Sequence, residues 1–285
     1  MRTLLVGGGG LLGRHLRDAL GPDDLIATYH KEVVDDSMRL DLEDETATRH
    51  LIRDVCPDVI VVAAAEAHVE RCEREPTATR RINVDAVRPV AEEAYRRGAL
   101  LVVFSSEYVF DGTGGRYDED DETAPLNEYG RQKVDLERIA LGVGRHLVLR
   151  TSGVFGHEPA GKNFVCQLVR SLREGRSFIV PADQLITPTY APSLAGAVAT
   201  LVARGATGTF HVVGPRIMPR PAFAELVCQV FGLDPGLVDP RPTDELGLAA
   251  PRPRRAGLAD EKIRGSLGHA LADPEVGLVE MTRRG

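Results

Sequence analysis

The sequence lacks the features that mark several common classes of protein. Its four cysteines, Cys56, Cys72, Cys166 and Cys228, are widely spaced and form no C-x-x-C pair. Neither a zinc site nor a disulfide framework is therefore indicated, and we expect free, buried thiols. The eight histidines show no ligand spacing, and there is no G-x-S-x-G motif. These absences disfavour zinc hydrolases and α/β-hydrolases, and no metal ligand is predicted.

Long apolar runs and an excess of positive charge are also absent. The longest apolar run, VIVVAAA at 59–65, is too short to cross a bilayer, and the short apolar segment before the first glycines does not resemble a signal peptide. We therefore expect a cytoplasmic protein without a membrane span. The net charge of −7 argues against a nucleic-acid surface. The acidic run at 118–122 is expected to be a solvated loop, because consecutive carboxylates cannot all face one ion.

A glycine-rich turn stands at the start of the chain. An apolar strand candidate leads into Gly7, Gly10 and Gly13, and leucines at helical spacing follow, beginning with Leu11 and Leu12. In such a turn the glycines allow a tight bend, close approach of a pyrophosphate and close packing of the helix on the sheet. The pattern predicts a dinucleotide site, although a glycine-rich turn alone is a weak signal.

Strand-like and helix-like segments alternate along the chain. Apolar or β-rich runs predict strands near 3–6, 24–29, 58–63, 99–104, 146–150 and 208–213. Helical patterns lie near 11–20, 44–54, 76–97, 127–142, 162–174 and 193–204. Alternation of this kind implies βαβ crossovers and a parallel sheet covered on both faces. The predicted fold class is α/β, with a Rossmann-type doubly wound parallel sheet.

The pattern loosens after residue 150, where proline and glycine become frequent. We predict an NAD(P)-binding Rossmann domain at 1–155, to which 185–216 returns. Residues 156–184 and 217–285 are assigned to a smaller, interleaved C-terminal lobe that binds the substrate. Residues 266–285 carry little pattern, and we expect no more than a frayed tail there.

A tyrosine and a lysine at helical spacing are the strongest chemical signal. Tyr129 and Lys133 are four residues apart, and Ser105 and Ser106 close an apolar run upstream. On a helix the two side chains share a face, so the ammonium is expected to lower the phenol pKa and make Tyr129 a proton donor to a carbonyl oxygen. Chance supplies such a pair in fewer than about one in ten chains of this composition.

The end of the second predicted strand bears on cofactor preference. NAD-selective sites place an acidic side chain there, whereas a cation accommodates a 2′-phosphate. Tyr29, His30 and Lys31 occupy this place, followed closely by Glu32 and by two further acidic residues. NADPH is favoured, and NADH stays open.

These stretches together resemble the extended short-chain dehydrogenases/reductases, and among them the dTDP-4-dehydrorhamnose reductase family. The similarity covers most of the chain and rests on GGGGLLG, PDVIVVAAA, FSSEYVFDGTGG, APLNEYGRQKVDLE, LRTSGVFG, GKNFV and DQLITPTY. It implies reduction of the C4 ketone of a nucleotide-linked 4-keto-6-deoxy sugar by NADPH. The resemblance is compatible with a homodimer but does not require one.

The resemblance implies a role for each matching position. Ser106 orients the carbonyl, Tyr129 donates the proton, and Lys133 binds the nicotinamide ribose. The remaining implied contacts fall into two groups. Those to the cofactor are Gly7, Gly10, Leu11, Leu12, Gly13, Tyr29, His30, Lys31, Asp41, Leu42, Ala63, Ala64 and Ala65, and those to the substrate are Ser106, Glu107, Gly153, Asn163 and Gln184.

The chain departs from the family near the sugar. Gly153 stands where a tryptophan is common, and the sequence contains no tryptophan at all. Ile186 replaces a usual glycine, Val62 a usual asparagine, and Glu107 a usual aspartate. A different keto sugar is therefore nearly as consistent with the sequence as the rhamnose precursor.

A function of another class also stays open. The regulatory β-subunit of methionine adenosyltransferase resembles the same family and shares the stretches around Ser106 and Tyr129. That subunit acts by binding a partner, and RPRRAGL at 252–258 also has relatives in its branch. The alternative is thus a non-catalytic, NADP-binding regulatory subunit.

Overall fold

A computed structural model describes residues 1–21, 24–31, 33 and 35–284. The strands of this part of the chain are short and mostly apolar. They are β1 (Thr3–Val6), β2 (Leu25–Tyr29), β3 (Ser37–Arg39), β4 (Val59–Val62), β5 (Leu100–Ser106), β6 (Gly115–Tyr117), β7 (His146–Thr151), β8 (Val154–Phe155), β9 (Phe178–Pro181), β10 (Leu185–Ile186), β11 (Thr189–Tyr190), β12 (Gly208–His211), β13 (Met218–Pro219), β14 (Val238–Arg241) and β15 (Ala256–Leu258).

The helices alternate with these strands. They are α1 (Leu11–Leu20), α2 (Glu45–Val55), α3 (Val69–Arg74), α4 (Pro76–Arg80), α5 (Val87–Arg97), α6 (Glu128–Leu141), α7 (Phe164–Arg173), α8 (Ala191–Ala203), α9 (Arg220–Phe231), α10 (Glu261–Leu267) and α11 (Pro274–Arg284). A π-helical turn at Arg81–Asp85 joins α4 to α5, and short 3-10 turns lie at Glu107–Val109, Pro235–Leu237 and Thr243–Leu246. None of the helices in the described ranges is both long and apolar enough to cross a membrane.

Seven parallel strands form the central sheet, in the order β12, β7, β5, β4, β1, β2, β3. Strand order reverses on either side of β1, which is the topology of a doubly wound fold. The connections that follow β1 and β4 run in opposite directions, and this leaves a crevice at the carboxyl ends of the two strands. The predicted Rossmann-type α/β fold is confirmed.

Apolar side chains cover both faces of the sheet. One core joins the sheet to α2, α5 and α6 through side chains such as Ile52, Val90 and Leu136. The other joins it to α1, α8 and α10, where Leu16 and Ile263 are fully buried. Two covered faces explain why the strands are continuous apolar runs rather than alternating ones.

A third core lies outside the sheet. Phe155, Val165, Leu168 and Phe223 are buried in it, together with side chains from α11. The division into a cofactor domain at 1–155 and 185–216 and a substrate lobe at 156–184 and 217–285 stays a prediction.

Three expectations from the sequence are wrong. The expected frayed tail at 266–285 contains α11, whose Leu278 and Met281 are buried in the third core. The single helix predicted at 76–97 is divided by the π-helical turn, which lets Asn83 turn inward with 2 % of its surface exposed. The cysteines are free thiols, but Cys56 is exposed rather than buried.

Candidate active site

The glycine turn between β1 and α1 permits two close approaches of the backbone. Gly7 has a φ of +93°, and a Cβ there would lie 2.6 Å from the backbone nitrogen of Ala64. A Cβ on Gly13 would lie 2.1 Å from the carbonyl oxygen of Gly7. Gly10 has open space around it. The first and third glycines therefore seat the helix on the sheet, and the second leaves the N-terminus of α1 accessible.

A groove of about 600 Å³ opens beside this turn. Most of the residues predicted to contact the cofactor line it, namely Gly7, Gly10, Leu11, Tyr29, His30, Lys31, Asp41, Leu42, Ala63, Ala64 and Ala65. Leu12 packs instead against the second core, and Gly13 is buried beneath the turn. Both support the groove from below rather than form its wall.

Charged side chains that were not predicted from the sequence also line the groove. Arg14, Arg71 and Lys162 contribute cations, and Arg71 lies 2.6 Å from Glu66. Lys162 belongs to the segment before α7, so the loop that leads into this helix reaches the groove from the other side. Arg71 and Lys162 are distant in sequence from the glycine turn; Lys162 belongs to the GKNFV stretch, whereas no motif marks Arg71.

The groove fits a dinucleotide in shape and charge. The open N-terminus of α1 presents backbone N–H groups, and Arg14 adds a cation, which is the donor set that a pyrophosphate requires. His30 and Lys31 lie at the end of β2, and His30 Nε2 is 3.7 Å from Asp41 Oδ2. Lys31 supplies a cation at this strand end, which suits a 2′-phosphate.

Lys133 connects the catalytic helix to the sheet next to this groove. Its Nζ donates a hydrogen bond to the carbonyl oxygen of Phe104 at 2.9 Å. Val62 of β4 pairs with Val103 of β5. The residues that follow them, Ala63 of the groove and Phe104, therefore lie side by side. The ammonium therefore lies at the end of the groove, although Lys133 itself is only 3 % exposed.

Tyr129 and Ser106 lie beside Lys133. Nζ of Lys133 is 5.5 Å from the centroid of the Tyr129 ring, as their spacing on α6 predicts. Ser106 closes β5, and its hydroxyl lies close enough to Tyr129 to lower the pKa of the phenol. The structure thus brings the three predicted catalytic residues together, but they are buried and do not line the groove.

The predicted lowering of the tyrosine pKa is wrong for the polypeptide by itself. Burial raises the pKa of Tyr129 above its ordinary value, the nearby Glu107 charge raises it further, and the nearby Ser106 hydroxyl opposes the rise. Burial also lowers the pKa of Lys133 to about 8. At neutral pH Tyr129 is therefore a phenol, the form that can donate a proton.

Glu107 lies next to Ser106, on the side predicted to bind the substrate. Ser106 Oγ donates to Glu107 Oε2 at 2.8 Å. Burial raises the pKa of Glu107, against the effect of this hydrogen bond, of the Arg220 charge and of the nearby Ser152 hydroxyl. Ser152 and Arg220 were not predicted.

The other predicted substrate residues have structural partners. Asn163 caps α7 by accepting from the Cys166 backbone, and its amide also donates to the Gly156 carbonyl. Gln184 is buried and donates to Thr243 Oγ1 at 3.0 Å. Gly153 has a φ of +51°, a conformation that a tryptophan would adopt only with strain.

Two buried networks fix α6 against the sheet. Asn83 of the π-helical turn donates to Gln132 Oε1 at 2.8 Å. One turn further on, Glu137 forms a two-pronged ion pair with Arg150 of β7, with both N–O distances at 2.9 Å. Both partners are at least nine-tenths buried. The networks hold Tyr129 and Lys133 in register with the end of β5.

No three histidine, cysteine, aspartate or glutamate side chains within the described ranges are placed so that they could hold a metal ion. Within the acidic run 118–122, Glu119 turns inward and accepts a hydrogen bond from the His211 backbone at 2.7 Å.

Comparisons with known proteins agree with this geometry. The family model described as the RmlD substrate binding domain matches residues 1–284. A probable low-salt glycan biosynthesis reductase of Haloferax volcanii is 32 % identical over 94 % of this chain and 93 % of its own length. A dTDP-4-dehydrorhamnose reductase of Sinorhizobium fredii is 32 % identical over 100 % of this chain and 96 % of its own.

A solved structure shares the whole fold. The dTDP-4-dehydrorhamnose reductase of Bacillus anthracis, crystallised in complex with NADP, superposes with a TM-score of 0.89 at 28 % identity. The match covers 100 % of this chain and 99 % of that one. On the full-length match to the family model, with the glycine turn and the Ser–Tyr–Lys group at the ends of the strands, the chain belongs to the RmlD substrate-binding domain family.

Proposed function

We propose that the protein is an NADPH-dependent reductase of the C4 ketone of a nucleotide-linked 4-keto-6-deoxy sugar. The observation that carries this proposal is the meeting of Ser106, Tyr129 and Lys133 at the end of a groove built for a dinucleotide. The similarity to reductases over the full length of the chain supports the enzyme over the alternative of a non-catalytic regulatory subunit.

The chain's own residues account for positioning and proton supply. Gly7, Gly10 and the segment 63–65 hold the dinucleotide, while Lys31 and His30 contact its 2′-phosphate. The cofactor, when bound, supplies the hydride. The groove residues fix the donor next to the ketone, which is the largest contribution a rigid site can make to such a reaction.

The proton comes from Tyr129. Its phenol is protonated at neutral pH and lies beside Ser106, so a ketone oxygen that contacts both hydroxyls receives the proton over one hydrogen bond. Lys133 then stabilises the phenolate through its charge, since its Nζ lies over the same ring. Ser106 holds the oxygen in place throughout.

The lobe assigned to 156–184 and 217–285 binds the rest of the substrate in this proposal. Gly153 and Ile186 lie together, with Ile186 Cδ1 3.5 Å from the position of a Cβ on Gly153. This small, aliphatic surface takes the place of an aromatic one and bears on which sugar fits. The proposal includes no nucleic acid and leaves the homodimer open.

Oxidation of NADPH across a panel of dTDP- and UDP-linked 4-keto sugars tests the proposal. At least one sugar should give turnover, and Tyr129→Phe should keep NADPH affinity but lose about 100-fold or more in kcat. Oxidation of none of the sugars, together with co-purification of a synthetase, would favour the regulatory alternative. Near-normal turnover by Tyr129→Phe would remove Tyr129 as the acid.

A further inference from the structure

Arg220 differs from the other arginines of the substrate side in its partners. Arg216 lies 2.6 Å from Asp273, Arg252 lies 2.7 Å from Glu70, and Arg254 is paired with two aspartates. Within the described ranges, no carboxylate forms an ion pair with Arg220. Its buried Nε has no hydrogen-bond partner; the Nε of Arg216 has none either, but Arg216 already has Asp273 as its carboxylate. A guanidinium with a buried, unsatisfied N–H group is costly unless a ligand completes it.

Helix stability does not explain this arginine. Arg220 is the first residue of α9, and no acidic side chain lies in the first turn. A cation at the positive end of a helix dipole is unfavourable rather than stabilising. The charge of Arg220 therefore does not stabilise α9.

The packing around Arg220 fixes the guanidinium instead. Its Cζ lies 5.7 Å from the centroid of the Phe164 ring, and Phe164 itself stacks on Phe223. The Arg220 backbone nitrogen donates to the Gln184 carbonyl at 2.9 Å. Stacking on a ring orients the planar fork and leaves its N–H edge for another acceptor.

The guanidinium lies close enough to the catalytic group for its charge to act there. Its charge lowers the pKa of both Glu107 and Tyr108, against the effect of burial. Glu107 is hydrogen-bonded to Ser106, and the Tyr108 ring packs edge-on against Tyr129 at 5.6 Å. Arg220 thus lies near the two hydroxyls, of Ser106 and Tyr129, that hold the ketone oxygen in the proposed function.

The chemistry of the substrate brings an anion to this place. In a nucleotide-linked 4-keto sugar, C4 carries the ketone and C1, across the same six-membered ring, carries the diphosphate. When the ketone contacts Ser106 and Tyr129, the first phosphate is one ring away from them. Arginine is the side chain best suited to bind two phosphate oxygens at once.

We propose that Arg220 binds the diphosphate of the substrate at its sugar end and thereby sets the distance from diphosphate to ketone. The inference rests on the proposed function for the identity of the sugar, but the binding itself is independent of turnover. Arg220 is the residue that makes the enzyme require a diphosphate-linked sugar rather than a free one.

Calorimetric titration with dTDP, UDP, thymidine and NADPH tests this site. Arg220→Gln should weaken binding of the preferred nucleoside diphosphate about tenfold or more, because a charged, two-pronged hydrogen bond is lost. Arg220→Lys should keep an intermediate affinity. Affinities for thymidine and NADPH should stay within about twofold of the wild-type values. With a keto-sugar substrate, KM should rise more than kcat falls.

Arg241→Gln provides the control. Arg241 is exposed on β14 and paired with Asp239, so this variant should bind as the wild type does. Diphosphate affinity within about twofold of wild type in folded Arg220→Gln would overturn the proposal. Failure of the wild-type protein to bind either diphosphate would do the same. A selective loss of affinity for UDP-glucuronate over UDP-glucose would assign Arg220 to a sugar carboxylate instead and also overturn it.

The outcomes separate this proposal from the proposed function. If binding of a diphosphate depends on Arg220 while no keto sugar is reduced, the site stands and the reductase assignment falls. If a keto sugar is reduced while Arg220→Gln binds and turns over normally, only the site falls.

Discussion

The Ser106 hydroxyl donates to Glu107 Oε2 at 2.8 Å. A hydroxyl has one hydrogen, so Ser106 cannot donate to Glu107 and to a ketone oxygen at the same time. Burial raises the pKa of Glu107, and a protonated carboxyl group reverses the hydrogen bond. Ser106 then accepts from Glu107 and its own hydrogen becomes available to the substrate.

This relationship predicts different effects of two substitutions at one position. Glu107→Gln can still donate to Ser106 and should keep kcat within about threefold of wild type. Glu107→Ala leaves the hydroxyl unoriented and should lose about 10- to 100-fold, the value of one to two hydrogen bonds in a buried site. Steady-state kinetics on the best substrate of the panel measures both effects.

The pH profile gives the control for this prediction. In the wild type, kcat should fall as pH rises through the Glu107 pKa, because the carboxylate takes the serine hydrogen; Glu107→Gln should lack this limb. Glu119→Gln changes another inward-facing glutamate whose pKa burial raises, and it should keep the wild-type profile. A Glu107→Gln enzyme as impaired as Glu107→Ala would show that the carboxylate form is required.

Two glycines of the turn should affect different properties: Gly13 the stability of the fold, and Gly10 the binding of NADPH. A Cβ at position 13 meets the Gly7 carbonyl at 2.1 Å, whereas a Cβ at position 10 meets nothing within 4 Å. Gly13→Ala should therefore destabilise the fold by about 3 kcal/mol. Gly10→Ala should cost less than about 1 kcal/mol and yet weaken NADPH binding, because its methyl group projects into the groove.

Urea unfolding and NADPH titration measure the two effects in both variants. The matched pair changes the same atoms three residues apart, so each variant serves as the control for the other. Equal stabilities of the two variants would contradict the seating of α1 on the sheet through Gly13. Unchanged NADPH affinity in Gly10→Ala would place the pyrophosphate elsewhere.

Local signals account for what the sequence could predict. β1 and α1 match their predicted bounds at 3–6 and 11–20, because an apolar run, a glycine turn and a leucine pattern follow one another without a break. The groove residues at 29–31 and 63–65 follow from the same rule, since they stand at strand ends. Their placement needed only the fold class.

The rest depended on contacts between distant segments. Arg71, Lys162 and Arg220 reach the site from elements that share no motif, so their proximity follows from tertiary packing alone. The helix at Pro274–Arg284 was missed because residues 266–285 show little periodic pattern, although Leu278 and Met281 are buried. The tyrosine pKa was misjudged because spacing shows the cation but not the burial that outweighs it.

Cofactor preference should depend on Lys31. Lys31 lines the groove at the end of β2, where an acidic residue would bind the ribose hydroxyls of NADH and repel a 2′-phosphate. Lys31→Glu should weaken NADPH binding about tenfold or more and strengthen NADH binding. Lys262→Glu, which changes a lysine that donates to the Thr209 carbonyl, should alter neither affinity. An unchanged ratio of the two affinities in Lys31→Glu would move the 2′-phosphate away from this strand end.

Lys133 should make folding stability depend on pH. Burial lowers its pKa to about 8 from 10.5. Between these values the unfolded chain binds the proton and the folded protein does not, so the Lys133 contribution to stability rises with pH across this window. The rise should be about 1.4 kcal/mol per pH unit.

The difference between wild type and Lys133→Met isolates this contribution, because the other titrating groups are shared by the two proteins. Urea unfolding from pH 7 to pH 10 should show a constant difference up to about pH 8 and then a growing advantage of the wild type. Lys133→Met should also lose turnover below about pH 8, where the charged Lys133 of the wild type stabilises the Tyr129 phenolate. A difference in stability that stays flat to pH 10 would mean that Lys133 keeps its proton in the folded protein, paired more closely than its hydrogen bond to the Phe104 carbonyl shows.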